Sequence, residues 1–172
     1  MAPNPEAIAW YVEKSERLLD DLRERVLAQR ARGGQLAGFS GAVLALVGAN
    51  TESVLGALSG SARDVAGVSL LLGSVLLVAA LATALLGTLL PQPVSDISAG
   101  EVANYTSDRF THEPDLWRVH VRAIHSLLAS IESITWYVDA AARIVEKAEY
   151  FFLSGLFTVG IAFATLIVEA TF

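Results

Sequence analysis

The feature that most constrains this chain is an apolar run from Val65 to Leu90, which contains no charged residue and ends at Pro91. A helix that crosses a bilayer needs roughly 17–25 apolar residues. A core helix of a soluble protein usually keeps a polar face, and this run has none. The run therefore predicts a transmembrane helix and an integral membrane protein.

Two further segments are apolar enough to cross a bilayer. Gln35–Thr51 is the weakest of the three, because Asn50 and Glu52 limit it, and Phe151–Val168 lies between two glutamates. Only 17% of the residues are charged, against about a quarter in a soluble domain, and the charges lie outside these segments. We predict three spans.

The basic residues predict the orientation, since Lys and Arg near span ends favour the cytoplasmic side. They precede the first span and lie between the second and third, whereas the loop near 52–64 contains only Arg63. We therefore expect an inner or plasma membrane protein with a cytoplasmic N-terminus and an external C-terminus.

The polar parts of the chain are predicted to be helical. Asn4 and Pro5 favour a helix start, and Gly33-Gly34 predicts a break or kink before the first span. Ser98 and Glu101 have the spacing of a capping box and would open a short helix. Pro114 would begin a long helix that continues without a breaker into the third span.

The predicted fold is thus an all-α membrane bundle with four parts. These are a cytoplasmic N-terminal helix (1–34), a transmembrane hairpin (35–90), a cytoplasmic helical segment (91–149) and the third transmembrane helix (150–172), which continues the long cytoplasmic helix.

The long helix has an apolar seam whose residues recur at alternating steps of three and four, the spacing of coiled coils. We interpret this seam as the oligomerisation or signalling surface. Its principal residues are Trp117, Ile124, Leu127, Ile131, Ile134, Val138 and Val145.

Small residues recur at four-residue spacing in the first span, a pattern that lets membrane helices approach closely. They would serve either self-assembly or packing among the spans of one chain. The residues that we select are Gly34, Gly38, Gly41, Ala42 and Ala45.

The sequence offers little for catalysis. Arg118 and His125 fit the loose spacing of HEPN-type ribonucleases, but His120 lies on the apolar seam and His112 lacks metal-ligand spacing. Cysteine is absent, and the formal net charge of −6 disfavours nucleic-acid binding. We predict no enzyme activity, no cofactor and no metal.

The order of parts resembles the transmembrane effectors of cyclic-nucleotide antiphage systems in bacteria, the Pycsar-type and SLATT-like families. The likeness rests on a Phe39-Ser40-Gly41-Ala42 core in the first span, on Pro91 after the second, and on Lys147 before the third. The resemblance implies antiviral defence. A cyclic-nucleotide signal would act on the helical cytoplasmic part or through a cytoplasmic protein partner.

We therefore expect a homo-oligomeric effector that alters membrane integrity or ion permeability on a cytoplasmic signal. The alternative is a non-gated membrane scaffold with a coiled-coil stalk. If copies surrounded a pore, Glu52 near the outer end of the first span could favour cations.

Overall fold

The computed structural model describes residues 5–89 and 116–171, without the side chains of residues 5–9, 12, 116–123 and 170. It has three α-helices and no strand in these ranges: α1 (Pro5–Ala57), α2 (Gly60–Leu89) and α3 (Leu116–Thr171). Each is long and apolar enough to cross a membrane, and α1 is the least apolar. This confirms the all-helical class and the three candidate spans. The short helix that Ser98 and Glu101 would open and the predicted start at Pro114 lie outside the described residues.

Two compact units divide the chain. One holds Met1–Ala28 and Pro91–Ala140, and the other holds Gln29–Leu90 and Ala141–Phe172. In the first unit, the described side chains with little exposure include Leu19, Leu22 and Val26 on α1 and Ile134 and Tyr137 on α3. Three ion pairs on the exposed side of α1 join Arg17 to Glu13, Arg23 to Asp20 and Arg25 to Asp21. Exposed pairs of this kind add little stability.

The second unit is a bundle of three helices. Close approaches of Gly33 to Thr88 and of Gly67 to Leu55 show that α1 and α2 are antiparallel. Gly73 approaches Val159 and Gly87 approaches Ile144, so α2 and α3 are also antiparallel. The core cluster draws on all three helices, with Val47, Leu77 and Ala162 among its buried members.

The predicted break at Gly33-Gly34 is wrong, because α1 continues through both residues. Gly33 is buried, and a Cβ there would lie 3.0 Å from Thr88 Cγ2 and 3.4 Å from the Ala84 carbonyl oxygen. The glycine permits two helices to approach each other and does not end one.

Asn50 and Glu52 do not end the helix of the first span either, since α1 extends to Ala57. Asn50 Nδ2 donates to the Leu46 carbonyl at 2.8 Å and Thr51 Oγ1 donates to the Val47 carbonyl at 2.7 Å. These bonds satisfy the polar side chains on their own helix. The turn to α2 is therefore only Leu58-Ser59, shorter than the predicted loop, and Gly60 follows it with a φ of 52°.

The outer surfaces of α2 and of the apolar part of α3 are formed by large hydrophobic side chains. Leu71, Leu86, Leu89, Leu153 and Phe157 are each more than half exposed. Soluble monomers rarely expose a continuous apolar surface of this extent. The exposed side chains therefore agree with the three candidate spans in assigning the bundle to a membrane.

Candidate functional site

The small residues of the first span lie on a different side of α1 from its buried residues. Gly34, Gly38, Ala42 and Ala45 are exposed and Gly41 is half-buried. A Cβ added at any of the three glycines would meet no atom within 4 Å. The described residues therefore show no packing of these positions against α2 or α3, and self-assembly stays a prediction.

All of these residues except Ala42 belong to a longer surface, which we call the small face of α1. Its members recur at alternating steps of four and three residues, as in two helices that pack side by side. All are exposed except the half-buried Gly41. The small face consists of Ala31, Gly34, Gly38, Gly41, Ala45, Gly48 and Glu52.

The small face contrasts with the rest of the bundle surface. In the apolar parts of α2 and α3, most exposed positions carry Leu, Val, Ile or Phe, and Ala82, Gly160 and Ala164 are the small exceptions. The apolar positions of the small face carry only Gly and Ala. Large exposed side chains on α1 within the first span, Phe39 and Leu46, lie beside this face. The small face thus lacks the bulky side chains that cover most of the apolar surface in the described part of the chain.

The predicted seam of α3 is the inner side of that helix. Ile134 and Val145 are buried, and Ile124, Leu127, Ile131 and Val138 are half-buried. The side chain of Trp117 lies outside the described residues. A role of the seam in oligomerisation or signalling stays a prediction.

The close contact between α2 and α3 at Gly73 and Gly155 was not predicted from the sequence. Buried small residues recur every seventh position on both helices, which is the signal that could have indicated it. They are Ala66, Gly73, Ala80 and Gly87 on α2, and Ala141, Ala148, Gly155 and Ala162 on α3.

Two polar contacts lie at the two ends of the third span, and each uses a glutamate of α3. Arg32 Nε lies 2.5 Å from Glu149 Oε1. The Ser59 hydroxyl donates to Glu169 Oε1 at 2.9 Å and the Ser59 amide donates to the same oxygen at 3.3 Å. The flanking glutamates that marked the span in the sequence therefore attach α3 to the α1–α2 hairpin.

The residues considered for catalysis are not brought together by the described structure. His125 is exposed, the side chains of Arg118 and His120 are not described, and His112 lies outside the described residues. Within residues 5–89 and 116–171, no three His, Asp or Glu side chains form a group that could hold a metal ion.

Comparisons of the chain with protein families, with curated proteins and with solved structures gave no match.

Proposed function

We propose that this chain is a homo-oligomeric membrane effector that changes membrane permeability in response to a cytoplasmic signal, as in the antiphage effectors that it resembles. The observation that carries the proposal is the small face of α1, which is exposed and has no partner among the described residues of its own chain. The N-terminus and the segment 91–149 would be cytoplasmic.

A second copy of the chain is the occupant that best fits the small face. Lipid tails make few dispersion contacts with a surface of Gly and Ala. Such a surface instead lets two helix backbones approach closely and form dispersion contacts with each other. The alternating steps of four and three continue from Gly34 to Glu52, which is about five helix turns, so α1 helices from neighbouring copies can pack along the whole span. The bulky outer surfaces of α2 and α3 would then face lipid.

Assembly through the small face would also bring glutamates together. Glu52 is exposed and lies on this face, and in the proposed orientation it would be near the outer end of the span. In a parallel ring of copies, the Glu52 carboxylates would surround one axis. Rings of acidic side chains favour cations in channels, so the expected change in permeability is an inward leak of cations.

The third helix supplies a route for the signal. It is one helix from Leu116 to Thr171. Ile134, Ala141, Ala148, Gly155 and Ala162 are buried and seven residues apart. We propose that a rotation or shift in the polar part of α3 passes to the span along this continuous helix.

The central experiment expresses Gly41→Leu and Gly48→Leu in cells that contain a membrane-potential dye. Each bulky side chain would block close approach at the small face, so we expect loss of oligomers in mild detergent and loss of depolarisation. Gly160→Leu is the matched control, since a Cβ at Gly160 also meets nothing within 4 Å but lies on α3. Glu52→Gln should keep the oligomer and reduce cation entry.

The outcome that contradicts the proposal is wild-type protein that is monomeric in mild detergent, or that never changes potential or growth, alone or beside its genomic neighbours. If Gly48→Leu behaved like wild type in both assays, the small face would not be the surface of assembly.

Transmission along α3 has its own test. Ile131 is half-buried on the seam, and the neighbouring Thr135 is exposed. Ile131→Asp should abolish depolarisation while membrane insertion remains, because the charge disrupts the seam; Thr135→Asp should retain activity. If Ile131→Asp remains active, the alternative is favoured, in which the chain is a non-gated scaffold and its stalk only docks other proteins.

A further inference from the structure

A cavity of about 320 Å³ lies between α1 and α3, where their polar residues give way to the apolar segments. It is lined by Gln29 and Arg32 from α1 and by Ala142, Glu146 and Glu149 from α3. All five residues belong to the same compact unit. The proposed assembly does not use this cavity.

The cavity lining carries two carboxylates, one guanidinium and one carboxamide. Arg32 is already paired with Glu149 through one carboxylate oxygen. Glu146 forms no ion pair with the described residues, and Gln29 Oε1 is buried and accepts no hydrogen bond from them. Two carboxylates against one guanidinium leave the lining with a net negative charge.

An acceptor without a donor is unfavourable when it is removed from water. The Gln29 oxygen is in this position. A bound group that donates hydrogen bonds would remove that cost at Gln29 and would neutralise the unpaired Glu146. The negative lining disfavours a phosphate or another anion at the same place.

The chemistry of the lining selects among cations. The described residues contain no group of three acidic or histidine ligands for a metal ion. An ammonium group presents three N–H donors, which matches the Gln29 oxygen, the Glu146 carboxylate and the second oxygen of Glu149. The volume is at the lower end of ligand pockets, which suits a headgroup or a short amine.

We propose that this cavity binds a primary ammonium group, held by Gln29, Glu146 and Glu149. The group could belong to a phosphatidylethanolamine headgroup or to a free polyamine. The residues that follow the cavity on α3 are Tyr150 and Phe151, both exposed. Aromatic side chains concentrate at the level of lipid headgroups, so a headgroup can reach the cavity. The proposal is independent of the effector function.

The test uses the purified full chain in nanodiscs. Thermal unfolding is measured in phosphatidylcholine alone, in phosphatidylcholine with phosphatidylethanolamine, and in phosphatidylcholine with added spermidine. We expect a rise in unfolding temperature with one or both amines. Stabilisation by the lipid alone identifies the headgroup as the source, and stabilisation by spermidine alone identifies a free amine.

Variants then locate the effect. Glu146→Gln removes an exposed carboxylate and should reduce amine affinity by about tenfold, whereas Glu132→Gln, on the same helix and outside the cavity, should leave it unchanged. Gln29→Leu should also weaken binding.

Three results overturn the proposal. One is no stabilisation of the wild type by either amine. Another is equal amine affinity in Glu146→Gln and wild type. The third is binding of a cyclic nucleotide that is lost in Arg32→Ala, because this would assign the cavity to an anion.

Discussion

Gly73 on α2 and Gly155 on α3 face each other at backbone distance. A Cβ added to either residue would lie 3.2 Å from the carbonyl oxygen of the other, and a Cβ at Gly73 would also lie 2.6 Å from Val159 Cγ2. The two helices thus meet where neither has a side chain. Close contact of this kind replaces the hydrophobic driving force that helices lack in lipid.

We therefore expect Gly73→Leu and Gly155→Leu to destabilise the bundle by about 1–3 kcal/mol each, the usual cost of overpacking a core. The measurement is thermal unfolding of purified protein in one detergent. Gly160→Leu, which adds the same side chain to open space on α3, should unfold at the wild-type temperature. A wild-type result for Gly73→Leu would mean that α2 and α3 do not approach as described.

Gly33 and Thr88 form a second close pair, and its clash is with a single methyl group. Gly33→Ala alone places a Cβ 3.0 Å from Thr88 Cγ2. It should lose stability despite the better helix propensity of alanine. Thr88→Ser removes that methyl group, so the double variant should recover stability. A double-mutant cycle in thermal unfolding should show a coupling energy of at least about 0.5 kcal/mol, and additivity of the two changes would contradict the contact.

Ser40 is fully buried, and its hydroxyl has no hydrogen-bond partner among the described residues. Because an unpaired buried hydroxyl costs about 1–3 kcal/mol, Ser40→Ala should leave the unfolding temperature unchanged or raise it. Ser154→Ala, at a half-buried position of α3, serves as a control. A marked loss of stability in Ser40→Ala would show that the hydroxyl has a partner in the membrane.

The orientation can be tested without background labelling, since the chain has no cysteine. Ser61 at the start of α2 and Ala129 on α3 are both exposed. We expect Ser61→Cys to react with a membrane-impermeant maleimide in intact cells and Ala129→Cys to react only after permeabilisation. The reverse pattern would show that the distribution of basic residues does not set the topology.

Much of the fold could be predicted because its signals are local. The charge-free run from Val65 to Leu90 leaves few alternatives to a span, and the absence of a breaker after Pro114 predicted the single helix α3. The structure confirms both within the residues that it describes. The prediction of a break at Gly33-Gly34 is wrong because the sequence does not distinguish a glycine that ends a helix from a glycine that allows close packing.

By itself, the sequence determined that the chain is helical and that three segments can cross a membrane. It also determined that α3 has an apolar seam whose residues recur at regular steps of three and four. Hydrophobicity and periodicity are properties of each segment alone, so no partner is needed to detect them. The tertiary structure decided which small residues face another helix. Gly33, Gly73, Gly87 and Gly155 lie in close contacts, whereas a Cβ added at Gly34, Gly38 or Gly41 would meet no atom of the described residues within 4 Å. That difference depends on how each helix is rotated about its axis, which is set by packing against the other two.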